Sequence, residues 1–151
     1  MTSLVGSSAV VTGASRGIGR AIALAMANAG ARVALVADSD SSKVCKSITE
    51  AGGDAKSYVA DVSDQDQVSK LFKDVLYDFK SFNVLVNNAG VQLEKPLLET
   101  DLSDFECVMG TNVRGTFLMG REAIRHMVEQ GSGGRVINIA SDLAHLGREQ
   151  F

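Results

Sequence analysis

The segment Thr12-Gly13-Ala14-Ser15-Arg16-Gly17-Ile18-Gly19 falls between an apolar run and a helix-like stretch. Glycine lets a backbone approach phosphate oxygens closely, and a helix N-terminus offers unpaired N–H groups at the positive end of its dipole. The segment therefore reads as a cradle for a dinucleotide pyrophosphate; a tight turn needing glycine for steric reasons alone is the competing reading. Three residues separate Gly13 from Gly17 and one separates Gly17 from Gly19. That spacing differs from the commoner one-then-two fingerprint of parallel α/β nucleotide sites. Asn87-Asn88-Ala89-Gly90 directly follows another apolar run. Its asparagines are good turn formers, and they also fall where parallel sheets hold their ligands, at the carboxyl end of a strand. Asp38 ends a further apolar run, the place of an acid that takes ribose hydroxyls and repels an added phosphate. Asn112 lies inside a long helical stretch, where its amide competes with the backbone for hydrogen bonds. Asp61 and Ser141 follow strand-like runs and read as a helix cap and a turn residue.

These residues need elements to hold them, and the apolar pattern supplies an alternating series. Strands are expected at 8–12, 32–37, 55–60, 83–86 and 135–140. The second is apolar on consecutive positions, as in a parallel sheet covered on both faces. Helices are expected at about 16–28, 41–51, 64–79 and 103–130, with Gly30 and Gly52-Gly53 as stops. Ile18, Ile22, Ala25 and Met26 would form the buried face of the first helix, and Val68, Leu71, Phe72, Val75 and Phe79 that of the third. Ser63 is the expected N-cap of the third. The rhythm implies right-handed crossovers and a doubly wound α/β parallel sheet with helices on both faces, one domain over residues 1–151.

Composition narrows the function classes. With 45% hydrophobic and 22% charged residues in 151, the chain has the make-up of an ordinary globular domain. A net charge of −3 without a basic run argues against nucleic acid as a partner. No apolar stretch is long enough to span a bilayer, and the first residues lack the pattern of a secretory signal. Cys45 and Cys107 stand singly, without partners at metal-ligand spacing, and read as reduced thiols of a cytoplasmic protein with no metal site. His126 is expected on a helix surface and His145 in a loop.

The glycine spacing, Asp61-Val62, Asn87-Asn88-Ala89-Gly90, Thr111-Asn112-Val113-Arg114-Gly115 and the run ending at Ser141 occur in the order of the short-chain dehydrogenase/reductase family, which this chain resembles along essentially its whole length. The resemblance implies a Rossmann-type sheet, incomplete at about five strands, and an NAD(P)-dependent oxidoreductase acting on a carbonyl or alcohol. It implies cofactor contacts from Gly13, Ser15, Arg16, Gly17, Ile18, Gly19, Asp38, Asp61, Val62, Asn88, Ala89 and Gly90. Thr12 would tie the glycine turn to the Asn-Asn-Ala-Gly turn. Asn112 would interrupt its helix and hold a water in a proton relay, and Ser141 would hydrogen-bond the reacting oxygen. Asp38 opposes NADP and Arg16 favours it, so the choice between NAD and NADP stays open. In the family's chemistry a tyrosine with a lysine four residues later moves the proton. Here Tyr58 and Tyr77 are followed at that distance by Val62 and Ser81. The 151-residue chain is therefore expected to be inactive alone, short of two further strands and the substrate loop, with its last strand an exposed edge prone to association. A homo-oligomer and a non-catalytic dinucleotide-binding or regulatory module are further expectations. Steroid, sugar, acyl-thioester and xenobiotic alcohols all remain open as substrates.

Overall fold

The computed structural model describes residues 3–146. Five strands, β1 (Ser8–Thr12), β2 (Arg32–Ala37), β3 (Asp54–Val59), β4 (Val84–Asn87) and β5 (Arg135–Asn138), form one sheet in the order β3-β2-β1-β4-β5. Every pairing is parallel; Val10 at the centre lies opposite Ala34 on one side and Leu85 on the other. The connecting helices are α1 (Gly17–Asn28), α2 (Ser42–Glu50), α3 (Gln65–Phe79), α4 (Leu102–Met109) and α5 (Thr116–Glu129). The chain leaves β1 toward β2 and β3, then returns to lay β4 on the other side. That reversal opens a crevice at the carboxyl ends of β1 and β4.

Both faces of the central strands β1, β2 and β4 are covered, whereas β5, at the edge of the sheet, is exposed at every residue, as the expectation for the last strand had it. Val10, Val36, Leu71, Phe72, Val75 and Met119 belong to the core on the α3 and α5 side; Val11, Val33, Leu35, Ala23 and Ile48 belong to that on the α1 and α2 side. The α3 stripe is buried as its spacing predicts. In α1 the buried face is instead Gly19, Ala23 and Ala27, with Ala25 exposed and Ile18 65% exposed. Small residues win there because the helix start presses on the preceding turn: a Cβ on Gly19 would sit 2.2 Å from the Gly13 carbonyl oxygen. His126 also departs from expectation. It stacks on Phe82 with ring centroids 4.9 Å apart, and its Nε2 is buried without a hydrogen-bond partner.

The expected helix over 103–130 is interrupted. A π-helical turn, Gly110–Gly115, separates α4 from α5. Gly115 rests on Val62, where an added Cβ would come within 2.7 Å of the valine Cγ2. At α3 the N-cap is Asp64 rather than Ser63, accepting from the N–H groups of Asp66 at 2.9 Å and Gln67 at 3.1 Å. Ser63 is drawn away by Asp61, whose Oδ1 accepts its N–H at 2.8 Å and its hydroxyl at 2.7 Å. The cap reading of Asp61 falls with this arrangement.

Thr12 fastens β1 to the turn after β4. The residue is 1% exposed, and its hydroxyl donates to the Val86 carbonyl at 3.3 Å and accepts the N–H groups of Asn88 and Ala89, each at 2.9 Å. The Asn88 side-chain amide returns a bond to the Thr12 carbonyl at 3.0 Å.

Replacing Thr12 by Val keeps the shape but strips two amides of their acceptor, and is expected to destabilise the chain by roughly 1–3 kcal/mol. Thr12→Ser should recover most of that in the denaturant midpoint. The Asp64 carboxyl is held below its ordinary range, chiefly by the backbone and side-chain N–H groups of Gln67. A carboxyl depressed by folding stabilises above its unfolded pKa and loses that effect as pH falls through the folded value. Asp64→Ala should therefore lower stability near neutrality, with the deficit closing in acid below the usual aspartate range. A deficit independent of pH in the same unfolding series would refute the charged-cap account.

Candidate functional site

Two recesses of about 580 Å³ each join along the carboxyl ends of the strands, sharing Ile18, Asn88, Ala89, Gly90 and Val91. The first is floored by the turn between β1 and α1. Gly13 and Gly17 adopt φ of +64° and +54°, a left-handed conformation that side chains disfavour. At Gly13 a Cβ would meet the Asn88 amide at 2.8 Å, whereas over Gly17 nothing lies within 4 Å. Gly19 lies beneath, pressed against Gly13 and Asn88. The N-cap residue of α1, Arg16, makes no side-chain cap bond, and the first turn carries no acid. The leading amides of α1 thus have no capping side chain, beside an open recess.

Of the twelve residues expected to contact the cofactor, Gly13, Ser15, Arg16, Gly17, Ile18, Asp38, Asp61, Val62, Asn88, Ala89 and Gly90 line this first recess together; Gly19 alone does not. Ser15 accepts a hydrogen bond from the Ser39 hydroxyl at 3.3 Å, joining the glycine turn to the end of β2. Asp38 and Arg16 are both exposed on the same recess. Asp61 lies in a turn closed by Ser63, between the buried Ala60 and Val62.

The second recess holds Asn112 and Ser141. Asn112 lies in the π-helical turn, and its carboxamide is committed twice to one residue: Nδ2 donates to the Val91 carbonyl at 2.9 Å and Oδ1 accepts the Val91 N–H at 2.8 Å. Its own carbonyl accepts the Thr116 hydroxyl at 2.8 Å. Ser141 caps a short 3-10 turn, Asp142–Ala144, accepting from the Leu143 N–H at 3.2 Å while lining the recess. Asn87, read from the sequence as a turn former, is the buried last residue of β4 and donates to Asn138 on β5 at 2.9 Å. Lys95 and Asp104 form an ion pair that pins the loop after β4 to α4; the aspartate is held below its ordinary range by Lys95, and Lys95 above its own by Asp104.

Neither tyrosine reaches this cleft. Tyr58 on β3 donates to Asp78 at 2.7 Å, and burial, then Asp78, pushes its hydroxyl well above the ordinary phenol range. Tyr77 is 77% exposed on α3. Among the described residues no group of His, Cys, Asp and Glu could hold a metal ion, and both cysteines are free thiols. Sequence reasoning missed Ala60, Val91, Cys107 and Thr111 in the first recess and Leu93, Val108 and Ile139 in the second. Val108, Thr111 and Asn112 share helical spacing, but only the fold shows that this face meets the turn after β4.

The chain matches the short chain dehydrogenase family over residues 7–151. It is 39% identical over 150 residues to a 3-oxoacyl-[acyl-carrier-protein] reductase of Synechocystis sp., covering 97% of this chain and 60% of that protein. It is 40% identical over 148 residues to the gluconate 5-dehydrogenase of Gluconobacter oxydans, covering 97% and 57%. Among solved structures, a short-chain type dehydrogenase/reductase from Mycobacterium marinum superposes with a TM-score of 0.95 at 37% identity, over 98% of this chain and 61% of that one. One described as an NAD(P)-dependent gluconate 5-dehydrogenase from Beutenbergia cavernae, with NADP bound at low occupancy, gives 0.91 at 35% identity, over 99% and 59%. The chain thus spans 57–60% of the length of these curated relatives. On this match, and on a doubly wound parallel sheet shared with these structures, the chain belongs to the short-chain dehydrogenase family.

Proposed function

We propose that the first recess binds a nicotinamide dinucleotide, NAD or NADP, and that the chain is the cofactor-binding part of an oxidoreductase acting on a carbonyl or alcohol. The observation that carries this reading is the left-handed turn at Gly17, with open space above it, beside helix amides that no side chain caps. A dinucleotide supplies hydride transfer when bound; everything else falls to the chain's own groups. In this reading the amides at the start of α1 neutralise the pyrophosphate. Asp38 accepts from the ribose hydroxyls, Arg16 offers a cation at the same end, and Asp61 with Val62 flanks the base. Gly90, close to Asn112, and the locked pair of Asn112 and Val91 fix the floor nearest the reacting end. Asn112 then serves a proton relay through a water at its turn. Ser141, whose hydroxyl donates to Asp142 at 3.3 Å and accepts the Leu143 N–H at 3.2 Å, would turn that hydroxyl to the reacting oxygen.

Non-catalytic dinucleotide binding by the 151-residue polypeptide is the second reading. It is favoured by one observation: Tyr58 is bound to Asp78 and Tyr77 lies on the outer surface, so neither supplies a proton at the cleft. The two free thiols fit a reducing compartment such as the cytoplasm, and among the described residues no helix is long and apolar enough to cross a membrane. A homo-oligomer is supported by a row of exposed apolar side chains along α4 and α5: Leu102, Phe105, Val113, Phe117, Ile124 and Val128.

Titration with NADH and NADPH, read by nucleotide fluorescence and by the thermal midpoint, tests the first reading. Saturable binding of at least one is expected, lost in Gly19→Ala. Asp38→Ala should shift the preference toward NADPH by about tenfold and Arg16→Ala toward NADH, each tenfold step being about 1.4 kcal/mol. No binding by a folded sample would overturn the proposal, and turnover of carbonyl substrates at the rate of a full-length family member would overturn the non-catalytic reading. Sedimentation should find a concentration-dependent dimer or larger species that Phe117→Glu dissociates; a monomer at every concentration would sink the oligomer.

A further inference from the structure

The π-helical turn borders both recesses at once. Thr111 lines the first and Asn112 the second, although they are neighbours in sequence. Through Asn112 the turn holds both polar groups of the Val91 backbone, its N–H at 2.8 Å and its carbonyl at 2.9 Å. At its other end the same turn is fastened to the loop between β3 and α3, which carries Asp61 and Val62 into the first recess. Arg114 Nε donates to the Ser63 carbonyl at 3.1 Å. Gly115 packs so closely on Val62 that an added Cβ would lie 2.7 Å from its Cγ2.

Ser63 is itself tied to the base end of the first recess. Asp61 Oδ1 accepts its N–H at 2.8 Å and its hydroxyl at 2.7 Å, and the Asp61 N–H donates to the Gln67 side chain at 3.0 Å. A series of short contacts therefore runs from Asp61 through Ser63 and Arg114 to Asn112 and Val91. Arg114 supplies the one long side chain in that series, and it is exposed. Coupling between two sites needs an element with two discrete arrangements that both sites bias. A six-residue π turn has one at hand, since the ordinary α ladder is its alternative.

We propose that Arg114 is a positioning residue that couples the base end of the dinucleotide recess to the lock between Asn112 and Val91. The inference rests on the preceding reading that the first recess takes a dinucleotide. A ligand against Asp61 and Val62 holds the Ser63 carbonyl in place. Arg114 then keeps the turn in the π register that aims Asn112 at Val91, and the floor of the second recess is set. Without that ligand the turn exchanges registers more freely and Val91 is released more often.

The test uses the 15N-labelled full chain and ADP, which brings an adenine and a diphosphate but no nicotinamide end. Amide hydrogen exchange at Val91 is the readout, because that N–H is bonded to Asn112 Oδ1. Saturating ADP should slow it by about fivefold or more in the wild type, the low end of ordinary coupling. In Arg114→Ala the same ADP saturation should slow it by less than about twofold. Arg114→Lys, which keeps a donor for the Ser63 carbonyl, should restore most of the effect. A merely structural Arg114 would change Val91 exchange equally with and without ADP, and an ADP effect that survives in Arg114→Ala would overturn the proposal. So would a Val91 that ignores ADP in the wild type. Should ADP not bind a folded chain, the dinucleotide reading falls separately, and Asp61→Ala, which releases Ser63, takes the place of the ligand. It should speed Val91 exchange by about fivefold or more in the wild type and leave Arg114→Ala unmoved. Equal acceleration in both, or none in the wild type, overturns the coupling.

Discussion

At the carboxyl end of β1 the chain passes so close to itself that no side chain fits. Gly19 presses on the Gly13 carbonyl and on the Asn88 amide, and the Thr12 hydroxyl takes two amides from the far turn. This contact welds the first strand, the first helix and the fourth strand at one point. Each partner is a backbone group or a short side chain, so the geometry is set by covalent dimensions rather than by flexible packing. The cleft follows from it. Closing the turn after β4 onto Thr12 places Gly90 and Val91 where Asn112 can take hold of them, and that second grip in turn locates the interruption between α4 and α5.

Much of the sheet was legible in the residues. Consecutive apolar positions in β2 announced a strand buried on both faces, and the α3 stripe came out buried residue for residue. Where periodicity failed, a local contact outranked it. In α1 hydrophobicity pointed to Ile18 and Ala25, but closeness of approach decided the face, and closeness favours Gly19, Ala23 and Ala27. At α3 both Ser63 and Asp64 were chemically able to cap. The choice was made by Asp61, which claimed the serine from outside the helix. His126 looked like a surface residue because helical spacing says nothing about Phe82, which reaches it from the loop before β4.

The site was legible in its turns and opaque in its walls. Glycine spacing and paired asparagines located the residues around the first recess, because each is demanded by backbone geometry that sequence records directly. The second recess is defined by which polar groups are already spoken for, and that depends on contacts between residues distant in sequence, such as Asn112 with Val91 and Asn87 with Asn138. The side-chain amides of Asn112, Asn87 and Asn138, which as residue types look like ligand-binding equipment, are used in the fold as structural fasteners.

The π-helical turn at Gly110–Gly115 can also be understood as an angular offset. An α-helix advances about 100° per residue, so one residue looped out of its ladder rotates everything downstream by about that amount relative to what lies upstream. α5 sends Leu118, Met119, Ala123 and Met127 into the core, while α4 buries no residue at all. The bulge is where one continuous stretch of chain changes allegiance, from a helix edging the cleft to one clamped on the sheet. Length in this segment is therefore constrained more tightly than composition. Many side chains could serve on either helix, but a single inserted or deleted residue would turn the methionines of α5 toward water.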